Sequence, residues 1–263
     1  MRKTLKISFM YRGLTFFVAS TFAAATATAQ RAGTTKRDSV GDAAAAFLNQ
    51  GRPNEARIAL LRALRASRSP EDIAVYRLEI ADTFLYDGKY GEAARAYNEV
   101  LAHEDSTPVD SLIRWAHHGL ALVDAFNGRA DRAASHYADA LRGHSTLADT
   151  IEMLVLTLQH DSALKAMDRF VASRQAGSGS QFVQGYRGLS WMSAGHCTEA
   201  LPEIAKAPQQ NRPLLIAIRG RCAGKHGQRV DALAMRDSVL KGSVADPFAW
   251  TVLIARDVAR KIE

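Results

Sequence analysis

The sequence predicts an all-α protein built as a solenoid of stacked helical hairpins. Apolar residues recur at helical spacing, for example at Ile73, Tyr76, Ile80 and Phe84, and no run of residues alternates as a strand would. In addition, the phrase GKYGEA at residues 88–93 returns along the chain at intervals of about one helical hairpin. We therefore expect about six hairpins, followed by one C-terminal helix that caps the stack.

The returning phrase is a glycine followed five residues later by an alanine. The pairs are Gly51/Ala56, Gly88/Ala93, Gly128/Ala133, Gly195/Ala200 and Gly227/Ala232, and a sixth copy, Leu158/Ala163, keeps only the alanine. The alanines lie 37, 40, 30, 37 and 32 residues apart, close to the ~34 residues of a helix–turn–helix repeat. Glycine adopts the left-handed turn after a helix without a Cβ clash, and the alanine lets two helices approach closely.

Large and small residues recur in the same register. Four positions after the alanines come Leu60, Tyr97, Tyr137, Met167 and Ile204, with Arg236 as the exception. Twelve positions before the alanines come Ala44, Ala81, Ala121, Gly188 and Gly220, with Ile151 as the exception. This pattern predicts that the two helices of each hairpin interlock, small residue against large.

The segment IADTFLYDGKYGEAARAY, residues 80–97, resembles a tetratricopeptide repeat most clearly. The resemblance covers roughly residues 42–241, although the early tryptophan of the family is missing from its usual place in every copy. Related helical-repeat families stay open for residues 145–241. The resemblance implies a non-enzymatic scaffold that binds a protein or peptide on the concave face formed by the first helix of each hairpin.

Helix starts are indicated where a capping residue precedes proline, at Ser69-Pro70, Thr107-Pro108 and Asp246-Pro247. We expect helices at about residues 39–49, 54–67, 71–87, 91–103, 109–127, 130–142, 146–158, 161–174, 181–194, 198–207, 213–225, 228–241 and 247–260. The break AGSGS at residues 176–180 is either an ordinary loop between hairpins or a hinge.

The first 29 residues have the three-part pattern of a secretory signal: a basic start, an apolar centre and small residues before Gln30. We expect cleavage after Ala29, a flexible lead-in at residues 30–37, and a repeat domain at residues 38–263 in the periplasm or outside the cell. The alternative is a membrane anchor, but the uncharged stretch from Gly13 to Ala29 is short of the ~20 strongly apolar residues that a spanning helix needs.

The net charge of +7 argues only weakly for a nucleic-acid partner. Four of the 34 basic residues lie in the signal segment, so cleavage leaves 30 basic against 27 acidic residues, a net charge of +3. No basic run carries interleaved aromatic residues. We therefore expect a protein or peptide partner, no nucleic acid, and a membrane contact only through an uncleaved signal.

No motif of a familiar enzyme or cofactor is present, and we expect neither catalysis, a cofactor nor a metal. The phrase GRCAGK at residues 220–225 lacks the length and the hydroxyl residue of a phosphate-binding loop. His117, His118 and His136 fall within one hairpin, but adjacent helical residues point about 100° apart, so His117 and His118 cannot easily share one ion. We interpret these histidines as surface and groove residues.

The two cysteines, Cys197 and Cys222, are expected to form a disulfide, because an exported protein folds in an oxidising compartment. They lie on one edge of adjacent hairpins in the predicted stacking. The alternative is two buried free thiols, since disulfide geometry is strict.

Eight residues on the first helices are candidates for contact with a partner. They are Asp82, Tyr86, Trp115, His118, Phe126, Glu152, Arg221 and Lys225. Aromatic and histidine side chains on a concave surface can hold an extended or helical peptide. Three functions stay open: an exported binding scaffold, which is the leading hypothesis, a hydrolase of cell-wall glycan, and a self-assembling envelope protein.

Overall fold

The computed structural model describes residues 35–103, 110–142, 146–173, 179–206, 212–244, 246–247 and 249–263. This part of the chain contains helices and connecting turns and no strand. Its helices, in chain order, are α1 (Thr35–Asn49), α2 (Pro53–Ala66), α3 (Pro70–Asp87), α4 (Tyr90–Leu101), α5 (Asp110–Phe126), α6 (Ala130–Ala140), α7 (Leu147–Leu156), α8 (His160–Ala172), α9 (Gly179–Ser193), α10 (Cys197–Ala205), α11 (Arg212–Lys225), α12 (Arg229–Lys241) and α13 (Trp250–Arg260). The predicted all-α hairpin solenoid is confirmed: six hairpins run from α1/α2 to α11/α12, and α13 follows them.

Most predicted helix ends agree with the structure to within a few residues. Ser69 begins α3 as expected, because its hydroxyl oxygen accepts a hydrogen bond from the Asp72 backbone N–H at 3.3 Å. Two starts differ. α1 begins at Thr35, inside the expected lead-in, and α13 begins at Trp250, with Ala249 rather than Asp246 at its N-cap.

Some sequence predictions fall on residues that are not described. The signal segment at residues 1–29, the Thr107-Pro108 start and most of the break at residues 176–180 lie outside the described ranges. Within those ranges, no helix is long and apolar enough to span a bilayer.

Every hairpin turn has the same backbone conformation, and this conformation explains the repeating glycine. Gly51, Gly88, Gly128, Gly195 and Gly227 have φ between 69° and 92°, and Leu158, at the same place in the fourth hairpin, has φ 60°. The residue after each turn position donates its backbone N–H to the carbonyl five residues earlier, as Lys89 does to Phe84 at 2.9 Å. This bond ends the helix through one residue in the left-handed conformation. It also satisfies a carbonyl that the helix leaves free.

The alanines of the repeat lie at the closest helix contacts. All six, from Ala56 to Ala232, have no solvent-exposed surface. The small residue on the first helix of a hairpin also allows a close contact. In the fifth hairpin, a Cβ on Gly188 would lie only 2.2 Å from Ile204 Cγ2. Small residues therefore face large ones inside each hairpin, in the register that the sequence predicted.

The C-terminal helix α13 covers the last hairpin and also crosses the inner surface of the array. It packs against α11 and α12 and reaches α3, while Trp250 contacts the rings of Trp115 and His118 on α5. All residues from Val252 to Ala259 are buried. The sequence predicted a cap on the end of the stack, but it did not predict that this helix would fill the interior.

Two sets of polar contacts hold the first two hairpins to the C-terminal end of the array. The Asn49 side chain, at the end of α1, bonds both the backbone carbonyl and the N–H of Val244 at 2.8 and 2.9 Å. Arg256 on α13 donates to the carbonyl of Tyr86 at 3.0 Å and to the carbonyl of Leu240 at 2.9 Å. The array therefore closes on itself around α13.

Replacing Ala93 by Phe should overpack the contact between α3 and α4 and lower the free energy of unfolding by about 1–3 kcal/mol. Arg95→Phe on the same helix is the matched control, because the Arg95 side chain is 77% exposed. Thermal and urea unfolding of both variants measures the difference. Equal stability of the two variants would show that the alanine register does not set the helix contact.

Candidate functional site

Glu152 lies at the centre of a polar cluster on the inner surface. Its carboxylate is 2.7 Å from His118 Nε2, and it accepts hydrogen bonds from the hydroxyl groups of Tyr137 at 3.2 Å and Tyr186 at 2.8 Å. These four side chains come from α5, α6, α7 and α9, and so from three consecutive hairpins. The sequence predicted His118 and Glu152 as contact residues, and the structure joins them directly.

The electrostatics of the cluster favour an ionised Glu152. Burial alone would raise the pKa of Glu152, but the His118 charge and the hydrogen bonds from His118, Tyr186 and Tyr137 outweigh burial and lower that pKa. Burial, together with the Glu152 charge, raises the pKa of both tyrosines well above their ordinary value, so they stay protonated donors. The cluster is thus an internally paired anion rather than a free acid.

Trp115 and His118 form an aromatic groove that α13 already occupies. The Trp250 ring lies edge-on to Trp115 with centroids 6.1 Å apart, and 4.5 Å from the His118 ring. The groove therefore holds one face of an amphipathic helix, as the sequence analysis expected of a helical partner, but the helix belongs to the same chain.

Asp82 and Tyr86 lie deeper, beneath the inner surface. Asp82 has no exposed surface and accepts a hydrogen bond from the Tyr97 hydroxyl, and burial raises its pKa well above the ordinary value. Tyr86 is covered by the Arg256 guanidinium, which lies 3.6 Å from the ring centroid. Both residues are buried and make contacts within the chain, so neither is available to a partner in this structure.

The other three predicted residues, Phe126, Arg221 and Lys225, line an open cleft beside α13. The cleft has a volume of about 210 Å³. It lies where α5, α7, α9 and α11 end, and α13 forms its other wall. Its remaining lining residues are Ala125, Val155, Leu156, Leu158, Leu189, Met192, Ser193, Ile254, Asp257, Val258 and Lys261.

The cleft is apolar at its base and basic at its rim. Lys261 is 2.8 Å from Asp257, whose other carboxylate oxygen accepts a hydrogen bond from the Tyr90 hydroxyl at 2.7 Å. Arg221 and Lys225 have no acidic partner among the residues that the structure describes. The charges of Arg221 and Lys225 are therefore available to a ligand in the cleft.

A disulfide joins the fifth and sixth hairpins. Cys197, the first residue of α10, is bonded to Cys222 on α11, with Cα atoms 5.4 Å apart. This arrangement is the edge-to-edge pairing that the predicted stacking gives. The oxidation state of the pair in the native protein stays a prediction.

Comparison with solved structures agrees with the helical-repeat fold. The crystal structure of a tetratricopeptide repeat protein from Parabacteroides merdae superposes with a TM-score of 0.54 over 92% of this chain and 91% of that chain, at 12% sequence identity. The fold is that of a tetratricopeptide-repeat protein. No protein-family model and no curated protein matches the sequence.

The sequence analysis missed the residues that α13 brings to the site. The helix expected at residues 247–260 was placed only as a cap at the end of the array, so the contacts of Trp250, Asp257 and Lys261 with α4 and α5 were not expected. The available signal was the adjacent pair Arg256 and Asp257, two charged residues that follow the apolar run from Val252 to Ala255, which indicates buried polar contacts.

Glu152→Gln should remove the contribution that the ionised carboxylate makes to the free energy of unfolding, a contribution that depends on pH. Because the pKa of Glu152 is lower in the folded protein than its ordinary value of 4.5, the ionised carboxylate stabilises the fold above that pH, and this contribution is lost as pH falls through the folded pKa. We expect the melting temperature of the variant to lie below that of wild type at neutral pH and to approach it in acid.

Melting curves between about pH 3 and pH 7 measure the effect. Glu199→Gln is the control, because the Glu199 side chain is 48% exposed. The melting temperature of this variant should follow that of wild type at every pH. A difference between Glu152→Gln and wild type that stays constant over this range would contradict the proposed ionisation.

Proposed function

We propose that the protein is an exported, non-enzymatic scaffold that binds a segment of a partner protein in the cleft between α13 and the ends of α5, α7, α9 and α11. The observation that carries this proposal is the open apolar cleft, with Arg221 and Lys225 at its rim and no acidic partner for them among the described residues. It is the part of the predicted concave surface that α13 leaves uncovered. The tetratricopeptide-repeat fold supports a binding role in general terms.

The chemistry of the cleft favours a short peptide segment with apolar side chains and an acidic group. Phe126, Met192 and Val258 offer apolar contact, while Arg221 and Lys225 offer charge. The volume is smaller than the ~300–1,000 Å³ of typical small-molecule sites, so a few side chains or a chain terminus fit better than a large cofactor. A carboxylate, from Asp, Glu or a free C-terminus, would complete the rim.

The cleft does not favour the hydrolase alternative. Glycoside hydrolysis needs two carboxyl groups on either side of the substrate bond. Asp257 is the only acidic residue among those that line this cleft, and Lys261 and Tyr90 already bind its carboxylate.

Peptide selection from a random display library tests the binding proposal. With the wild-type repeat domain as bait, we expect enrichment of peptides that combine apolar residues with an acidic group. The double variant Arg221→Glu/Lys225→Glu should lose these peptides, with affinity lowered at least tenfold. The matched control is Lys165→Glu/Arg169→Glu, which reverses two charges at the same spacing on the exposed side of α8.

Equal enrichment by both double variants would place binding elsewhere on the molecule. No enrichment by the wild-type protein would contradict a peptide site in this cleft. Melting temperatures of the two variants, measured alongside, separate lost binding from lost folding.

Intact mass spectrometry of the native protein tests export. We expect a chain that begins at Gln30 and carries a Cys197–Cys222 disulfide, seen as a gain of two hydrogen atoms on reduction. Thiol titration of the denatured, unreduced protein should find no free cysteine. A chain that retains residues 1–29 would contradict cleavage. Two free thiols would contradict an oxidising compartment.

A further inference from the structure

His117 and His118 are neighbours in sequence, but their side chains contact different partners. His118 turns to the inner surface and binds Glu152. His117 turns toward α6, where its Nδ1 atom lies 3.4 Å from His136 Nδ1. Asp139, one turn after His136 on the same face of α6, has a carboxylate oxygen 4.0 Å from His117 Nδ1. Two imidazole nitrogens and a carboxylate oxygen thus converge within 4.8 Å of one another.

The separation of the two nitrogens matches a tetrahedral metal ion. With Zn–N bonds of about 2.0–2.1 Å and tetrahedral angles, two histidine ligands lie about 3.3 Å apart. Adjacent ligands of a square-planar copper site, at similar bond lengths, would lie only about 2.9 Å apart. The 3.4 Å between His117 Nδ1 and His136 Nδ1 therefore favours zinc.

Asp124 supports this arrangement from behind His136. Its carboxylate is 3% exposed, and its Oδ2 atom has no hydrogen-bond partner in the structure. His136 Nε2 lies 3.7 Å from that oxygen, and Arg132 Nε lies 3.5 Å from it. At 3.7 Å this is a charge contact rather than a hydrogen bond, and it favours the tautomer with the proton on Nε2 and the lone pair on Nδ1, the atom nearest to His117. A carboxylate behind a histidine in this way is the usual support of a zinc ligand.

The three groups are also accessible and adjustable. The side chains of His117, His136 and Asp139 are 20–32% exposed, so an ion can reach them from solvent. The Asp139 carboxylate is otherwise paired with Arg142, whose side chain is 81% exposed. It can therefore rotate toward the histidines at little cost.

We propose that His117, His136 and Asp139 bind one zinc ion between α5 and α6, with water as the fourth ligand. Asp124 orients His136 and is not itself a ligand. This site revises the expectation of no metal, which rested on the divergence of the adjacent residues His117 and His118. It lies away from the peptide cleft and does not depend on the proposed binding function.

Titration calorimetry of the tag-free, full-length protein with ZnCl₂ tests the proposal. We expect one zinc ion per chain and a rise in melting temperature with zinc concentration, because binding to the folded state stabilises it. His117→Gln and His136→Gln should each weaken binding at least tenfold and abolish the rise. His226→Gln, at an exposed turn, is the matched control and should bind like wild type.

Cobalt substitution checks the geometry, since tetrahedral Co²⁺ absorbs visible light far more strongly than octahedral Co²⁺. We expect the strong spectrum in wild type and in His226→Gln. If a histidine variant does not fold, zinc should still protect His117 and His136 of the wild-type protein from diethyl pyrocarbonate, as mapped by mass spectrometry. No zinc binding by wild type, or binding that both histidine variants retain, would overturn the proposal.

Discussion

The closed array depends on the contacts that the buried guanidinium of Arg256 makes with α3 and α12. The guanidinium stacks on the Tyr86 ring and donates to the carbonyl groups of Tyr86, Val239 and Leu240. These carbonyls lie in the last turns of α3 and α12, where a helix has free acceptors and partial negative charge. Burial lowers the pKa of Arg256 to about 10, so the group is still charged at neutral pH. One cation thereby satisfies two helix ends that are distant in sequence.

The position of α13 decides which part of the inner surface can serve a partner. An open tetratricopeptide array would offer its whole concave face, but here the aromatic half of that face, around Trp115 and His118, holds Trp250. The half that remains open is the cleft bounded by Phe126, Arg221 and Lys225. The chain uses apolar pockets with polar tips for its own closure, and the proposed function uses the same property for an external ligand.

The repeats could be predicted from the sequence because each hairpin is local. A glycine at a left-handed turn and an alanine at a close helix contact are both decided within about 15 residues, and even Leu158 follows the turn geometry of its glycine equivalents. The position of α13 could not be predicted in this way. It depends on the small rotation between successive hairpins, summed over six units, which no single residue reports.

The same reasoning explains which side chains of the site were found. His118 and Glu152 were identified because both lie on first helices in the correct register. The pairing of His117 with His136 and Asp139 was missed because it crosses between α5 and α6, and sequence spacing alone does not give the rotation of one helix against the other. Adjacent histidines that diverge by about 100° are informative only when both faces of the helix are known.

Closure also changes how stability is distributed along the array. In an open solenoid each repeat contacts only its neighbours, so stability is approximately a sum of local terms and the ends fray. Here Asn49 bonds Val244 across 195 residues, and Arg256 bonds Tyr86 across 170. Unfolding either end must break contacts that hold the other. The two ends of the array, which are the weakest parts of an open solenoid, are in this protein coupled to each other. Asn49 holds the segment between α12 and α13, and Arg256 on α13 holds the second hairpin.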